Sequence, residues 1–341
     1  MTKSMQATVM TAVGGPEVLQ LRLVPRPEIT DPNHILVRVL AAGVNPADLR
    51  IRKRVPPMTA WEVPAEGVIP GLEGAGVVEA VGSAVTRFKH GDEVYYFDGG
   101  FIGAPGSYAQ FKTLHADYAA LKPRSLSFAQ AAALPVVAIT GWEALCDHAH
   151  VTSGDTLLVQ GGAGGLGHIG VQLGTLLGAR VATTVSTQAK ADLVRRLGAD
   201  HVVLYRDQDV ASSLNAWTNG AGVDVVYDTV GAAVFSQSID LLAVHGRLVT
   251  AAYPTAWPTA DIFGAALRNI RISFEAMGHA MRSHATRVKQ TGILERVAAY
   301  VDEGRLHVVL DRTYALADAG EAQSALEHGE ITGRIALEMP S

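Results

Sequence analysis

The segment Gly161-Gly162-Ala163-Gly164-Gly165-Leu166-Gly167 limits what this chain can fold into more than any other. Gly162, Gly164 and Gly167 satisfy G-x-G-x-x-G; the apolar run Thr156–Gln160 precedes them, and an amphipathic stretch with Ile169, Leu173, Leu176 and Leu177 follows, ended by Gly178. A strand, this turn and a helix, in that order, are the context a dinucleotide site requires. Glycines allow the tight turn and bring backbone N–H groups close to a pyrophosphate, while the helix N-terminus adds partial positive charge. The plainer reading is an ordinary βα turn. Against it stands a run of further βα units: strand 180–185, helix 188–197, strand 201–205, helix 210–218, strand 223–228, helix 233–243 and strand 247–251, with 270–274 as one more candidate. Such alternation predicts a parallel sheet with helices on both faces.

Up to about residue 125 the texture differs. Short alternating runs, such as His34–Leu40 and Gly76–Val81, lie between closely spaced glycines and prolines, which predicts a sandwich or barrel. Phe128–Leu134 and Thr140–His150 read as helical. The tail carries a helix at Gly292–Glu303, a helical turn at Ala317–His328 and a last strand at Arg334–Glu338. The expected layout is a β-rich domain over 1–128, a dinucleotide-binding domain over 129–272, and a return to the first domain over 273–341.

With 341 residues, 48% of them apolar, the chain can bury a substantial core. A net charge of −5 argues against a nucleic-acid backbone as partner. The single Cys146 forbids an intrachain disulfide and any multi-cysteine metal site, which suits a reducing compartment and a cytoplasmic protein. The uncharged windows 125–142 and 156–179 are broken by Pro135 and Gly141 and by eight glycines, so neither predicts a membrane span.

The end of the second βα strand bears on the nucleotide. An NAD site places Asp or Glu about 20 residues after the first motif glycine. Here Ala182–Thr187 contains no acid; Ser186 and Lys190 stand where a 2′-phosphate would lie, with Tyr205 ending the next strand. That pattern predicts NADPH, Lys190 as an ordinary solvated charge being the alternative.

Four motifs carry a family resemblance. Ala42-Gly43-Val44-Asn45-Pro46-Ala47-Asp48, Pro70–Val78, Ala133-Leu134-Pro135 through Leu145, and the glycine turn with Leu197-Gly198-Ala199-Asp200 resemble the medium-chain dehydrogenase/reductase superfamily, in its zinc-independent quinone oxidoreductase branch, over nearly the whole chain. The resemblance implies an α/β protein: a GroES-like partly open β-barrel domain plus a Rossmann doubly wound parallel sheet domain, with the active site in the cleft between them, NADPH as cofactor and a homodimer. Zinc enzymes of the superfamily have Cys where this chain has Asn45 and His where it has Leu72, so no catalytic metal is expected. Cys146 and His150, four apart on a predicted helix, are too few to close a site.

Without zinc, hydrogen bonds must polarise the acceptor. By the resemblance Asn45 faces the cleft and donates to a quinone or enone oxygen, the alternative being a turn Asn before Pro46. Thr140 matches a threonine beside the nicotinamide, or caps the helix after it. Tyr96, or Tyr95, is a candidate proton donor, core packing being the alternative. Cofactor contacts are expected at Thr140, Gly162, Gly164, Gly165, Leu166, Ser186, Lys190, Tyr205, Val230, Ala252 and Tyr253, most of them following Rossmann strands. Arg50, with Arg52, Lys53 and Arg54, replaces an aromatic common in the branch and suggests an acidic or larger substrate, or simply a basic loop. The expected reaction is hydride transfer from NADPH to a quinone or α,β-unsaturated carbonyl; the alternatives are an enoyl-thioester reductase and a non-catalytic NADPH-binding, zeta-crystallin-like protein.

Overall fold

The computed structural model describes residues 3–54, 63–100, 105–252, 261–278 and 283–340. The chain forms two compact units, one of residues 1–136, 281–303 and 308–341, the other of 137–280 and 304–307.

The first unit opens with an antiparallel pair, β1 (Ser4–Met10) and β2 (Leu19–Pro25). Then come β3 (His34–Gly43), α1 (Pro46–Arg52), β4 (Glu73–Val81), β5 (Glu93–Phe97), β6 (Phe111–His115), β7 (Ala119–Leu121) and α2 (Phe128–Ala132). Along β3, Ile35, Val37 and Val39 are buried while Arg38 is exposed, the two-residue period of a strand with one face on a core. Those residues pack with Val78, Phe88, Val94, Tyr96 and Leu114 into the barrel interior.

The second unit contains most of α3 (Pro135–Trp142), which runs into a π-helical turn at Glu143–His148. It continues with β8 (Thr156–Gln160), α4 (Gly165–Leu176), β9 (Arg180–Val185), α5 (Gln188–Arg196), β10 (His201–Leu204), α6 (Val210–Trp217), β11 (Val223–Asp228), α7 (Phe235–Asp240), β12 (Leu242–Thr250), α8 (Ile262–Leu267) and β13 (Arg271–Phe274). All six strands are parallel, in the order β10-β9-β8-β11-β12-β13. Numbered within the unit this is 3-2-1-4-5-6, the Rossmann order, with the reversal between β8 and β11.

The tail returns to the first unit with α9 (His284–Asp302), β14 (Leu310–Ala315), α10 (Ala319–Glu327) and β15 (Arg334–Glu338). The barrel sheet reads β14-β15-β3-β4-β5-β7, with β6 also pairing β3.

The sheet strands β8, β9, β11 and β15 match the expected ranges. Other elements differ. Pro135 starts α3 instead of ending a helix, because the first helical turn needs no N–H from it. The break between units falls at Val136/Val137, beyond 128/129, since α2 packs on β3 and β4. The later break falls at 280/281 instead of 272/273. Helix α9 starts eight residues before Gly292, a glycine with open space around it that the helix tolerates. β12 starts five residues earlier than expected and takes over the end of the expected helix 233–243, so α7 is short. Among the described residues no helix is long and apolar enough to cross a membrane.

Candidate functional site

The glycine turn lies at the carboxyl end of β8, beside the strand-order reversal. Two glycines are there because of close approaches. A Cβ on Gly162 would stand 2.0 Å from Thr183 Oγ1, and one on Gly167 would stand 2.1 Å from the Gly161 carbonyl oxygen. Gly161 itself has φ +74°, and its N–H donates to Thr184 Oγ1 at 3.0 Å. Thr184 in turn donates to Gln160 Oε1 at 2.8 Å, which pins the turn to β9. Gly164 is the N-cap of α4 and supplies no side-chain cap, and no acid lies in the first turn. This leaves the first N–H groups of a 12-residue helix for an anion, the arrangement a dinucleotide pyrophosphate fits.

Neighbouring strand ends gather the other expected cofactor contacts at the same edge. Ser186 follows β9 and is partly exposed; Lys190 is in the first turn of α5, which Thr187 caps. Among the described residues the Lys190 ammonium has no ion-pair partner. Tyr205 follows β10, is half exposed, and its N–H donates to the Val185 carbonyl at 3.1 Å. Val230 is exposed after β11, its Cγ2 3.0 Å from where a Cβ on Gly161 would lie. Gly165, Leu166 and Ala252 are partly exposed along this edge. Tyr253 lies outside the described residues. Thr140 is within α3, so the helix-cap reading fails; its hydroxyl donates to Met277 Sδ at 2.9 Å.

One organising residue was not anticipated. Asp228, buried at the end of β11, accepts the N–H groups of Val230 and Gly231 at 2.9 and 2.8 Å and the Thr250 hydroxyl at 3.1 Å. It shapes the loops after β11 and β12, and burial pushes its pKa above the usual carboxylate range. An Asp at a strand end with glycine three residues on was the available signal.

In the first unit the structure corrects the expectation for Asn45. It is 2% exposed, and both amide atoms are occupied: Nδ2 donates to Glu73 Oε1 at 2.8 Å, and Oδ1 accepts from Arg334 Nη2 at 2.9 Å. Arg334, on β15, also donates to Glu73 and to the Ala133 carbonyl, while Glu73 Oε2 accepts the Val136 N–H at 2.7 Å. Asn45 is the N-cap of α1, its N–H donating to Asp48 Oδ2 at 2.8 Å. The turn reading is the one this geometry supports, because the amide is buried and both its oxygen and its nitrogen are bonded within the protein. Gly43 makes room for the cluster: a Cβ there would stand 2.2 Å from Glu73 Oε1. Burial raises the Glu73 carboxyl while the Arg334 charge opposes that rise. Burial likewise pushes Asp48 up to about 7; the Asn45 N–H opposes this and the Glu73 charge adds to it.

The tyrosines are also corrected. Tyr96 is fully buried in the barrel core, its hydroxyl against Ser107, and burial raises its pKa far from a useful acid. Tyr95 is equally buried and donates to the Leu294 carbonyl at 2.6 Å, fastening α9. Neither has surface from which to hand a proton to a substrate. Within the basic cluster, Arg52 is fully buried and donates to Gln323, to the Gly14 carbonyl and to Glu327, which Lys53 also pairs with. Those two cations fasten α1 to α10, so they do not wait for an acidic substrate. His150 Nδ1 donates to the Cys146 carbonyl at 2.9 Å, a helix-end bond, away from any role with the thiol.

Residues 31–124 match the family described as alcohol dehydrogenase GroES-like domain, and residues 197–337 one described as zinc-binding dehydrogenase. A quinone oxidoreductase of Pseudomonas aeruginosa is 32% identical over 329 residues, 96% of this chain and 97% of that protein. A phthioceranic/hydroxyphthioceranic acid synthase of Mycobacterium tuberculosis is 32% identical over 317 residues, and the chain spans only 14% of its length. An alcohol dehydrogenase superfamily protein from Novosphingobium aromaticivorans superposes with TM-score 0.89 at 33% identity, over 98% of this chain and 100% of that one. A GroES-like barrel joined to a Rossmann sheet with a glycine cradle defines an oxidoreductase. The chain belongs to the medium-chain dehydrogenase/reductase superfamily, among relatives that include quinone oxidoreductases.

Proposed function

We propose that this chain is an NADPH-dependent reductase, working without catalytic zinc, that passes hydride to a quinone or an α,β-unsaturated carbonyl. The observation that carries the cofactor reading is the carboxyl edge of β8 and β9. There the Gly162–Gly167 cradle and the uncapped start of α4 face a strand end that offers Ser186 and Lys190 in place of a ribose-binding carboxylate. NADPH would lay its pyrophosphate on the α4 N-terminus and its 2′-phosphate by Ser186, Lys190 and Tyr205, and when bound it supplies the hydride.

The donor set at Asn45 supports the absence of a catalytic metal. Amides and leucine are not ordinary zinc ligands, and here the Asn45 amide and the Glu73 carboxylate are compensated by the Arg334 guanidinium. An alcohol dehydrogenase needs a Lewis acid or base to remove the hydroxyl proton. A conjugated acceptor spreads its developing charge and needs less help. The similarity to a quinone oxidoreductase over almost its full length points the same way.

The synthase relative keeps an enoyl-thioester reductase as a second reading. It loses support from the burial of Arg52 and the pairing of Lys53, which a phosphorylated carrier would otherwise have met. NADPH oxidation assayed against 1,4-benzoquinone, a simple enone, crotonyl-CoA and an aldehyde separates these readings. Quinone or enone turnover well above the other two is the expected result. Preference for crotonyl-CoA would favour the second reading, and no turnover with any acceptor would favour a cofactor binder.

A further inference from the structure

His115 at the end of β6, Asp117 in the 3₁₀ turn after it, and His284 at the start of α9 meet in the first unit. Asp117 Oδ2 is 3.7 Å from His115 Nδ1 and 3.6 Å from His284 Nε2, and one ligand atom from each residue lies within 4.8 Å of the other two. Ligand atoms on a tetrahedral ion at about 2.0–2.1 Å stand roughly 3.3 Å apart. Closing the Asp117 pairs onto one ion therefore takes shifts of a few tenths of an ångström, and the two imidazoles have side-chain freedom to follow.

Each ring directs one nitrogen toward the shared point. Tyr118 Oη lies 2.9 Å from His284 Nδ1; with that nitrogen donating to the phenol, Nε2 keeps its lone pair toward Asp117. A second hydrogen bond that fixes the tautomer of a histidine in this way is the usual support of a metal ligand. The Asp117 N–H donates to His115 Nδ1 at 3.1 Å, which likewise makes Nδ1 the unprotonated atom. Ligation would exchange that bond for one to the ion.

The surrounding charges leave Oδ2 available. Arg87 approaches the other oxygen, Asp117 Oδ1, at 3.6 Å and is shared with Glu295 at 2.6 Å. Arg287 lies over the Tyr118 ring and is compensated by Asp98. His34 pairs with His115 across β3 and β6, and its ring meets His115 edge-on at 5.9 Å between centroids, outside the ligand set. Asp31 faces both of these histidines.

We propose that His115, Asp117 and His284 bind one divalent transition-metal ion, at a site that shares no residue with the glycine cradle or the Asn45 cluster. Two imidazoles and one carboxylate select Zn²⁺, Cu²⁺ or Ni²⁺ over Mg²⁺ or Ca²⁺, which take oxygen ligands. The ion would tie the start of α9 to the β6 corner. It would also exchange with solvent, since His284 is more than half exposed and, among the described residues, no fourth ligand closes the site.

Titration calorimetry of the full-length protein with ZnCl₂ at pH 7.5 and electron paramagnetic resonance of the Cu²⁺ form test this. The expected result is one Zn²⁺ per chain, binding at least 30-fold weaker in each of His284→Ala and Asp117→Asn and unchanged in His34→Ala. Cu²⁺ should show coupling to two imidazole nitrogens, falling to one in His284→Ala. Zn²⁺ should raise the Tm of the wild type and not of His284→Ala, a readout that also reports folding of the variant. Equal Zn²⁺ affinity across all variants, or a Cu²⁺ spectrum without imidazole coupling, would overturn the site.

Discussion

Asn45 Nδ2 donates to Glu73 Oε1 at 2.8 Å, across 28 residues of sequence and between the start of α1 and the start of β4. The bond makes Asn45 a fastener of a buried ionic cluster whose other members are Arg334 and Asp48. The loss of Asn45 should therefore be felt first in stability.

Asn45→Ala removes a donor to a buried carboxylate and an acceptor from a buried guanidinium. Leaving buried groups unsatisfied costs about 1–3 kcal/mol, and more where they are charged. We expect a Tm lowered by several degrees with NADPH affinity retained. Arg334→Met should be worse, about 3–5 kcal/mol, because it strands the Glu73 charge. Thermal unfolding followed by circular dichroism, with NADPH titrated by fluorescence, checks both; a fully stable Asn45→Ala that has lost only turnover would restore the catalytic reading.

Asp48 gives a pH signature with an unusual sign. Its folded pKa, about 7, lies above the unfolded value near 3.8, so between those limits the folded state binds more protons than the unfolded one. Stability from this group therefore falls as pH rises from about 4 to 7. Asp48→Asn keeps an oxygen to accept the Asn45 N–H and removes the titration. The variant should match the wild type near pH 4 and exceed it in Tm at pH 8. A constant difference across that range would contradict the assignment.

The glycines of the cradle should separate by position. Gly167→Ala places a methyl 2.1 Å from the Gly161 carbonyl, and Gly162→Ala one 2.0 Å from Thr183 Oγ1. At Gly164 the nearest atom, the Gly161 oxygen, is 3.3 Å away. We expect Gly167→Ala to lose NADPH binding and several degrees of Tm, and Gly164→Ala to fold normally. Equal Tm for the two alanine variants would show that the turn relaxes freely.

Much of the second unit could be read in advance because its signals are local. β8 and β11 are largely apolar runs bounded by Gly or Asp, and the turn after β8 carries its own spacing. The first unit was harder, since its organising contacts join distant residues. Nothing local to Arg334 announces that it compensates Glu73, and nothing near Tyr95 shows that its hydroxyl reaches Leu294. Asn45 before Pro46 carried two readings in sequence; burial decided between them. β14, whose side chains are mostly exposed and do not alternate, is a strand because β15 supplies a parallel partner, which periodicity alone does not reveal.

Lys190 should decide between the two nicotinamide cofactors. A hydrogen bond to a charged group contributes about 1.5–3 kcal/mol, so Lys190→Ala should weaken NADPH by roughly 10- to 100-fold. NADH affinity should barely move. Equal losses for both in a fluorescence titration would show that Lys190 does not contact the 2′-phosphate.

Steady-state assay of protein dialysed against 1,10-phenanthroline, run both as NADPH oxidation with a quinone and an enone and as NADP⁺ reduction with primary alcohols, tests the central claim most directly. The account predicts NADPH oxidation by a quinone or enone at the rate of untreated protein, with no alcohol oxidation. Brisk alcohol oxidation that disappears on chelation and returns with Zn²⁺ would contradict it.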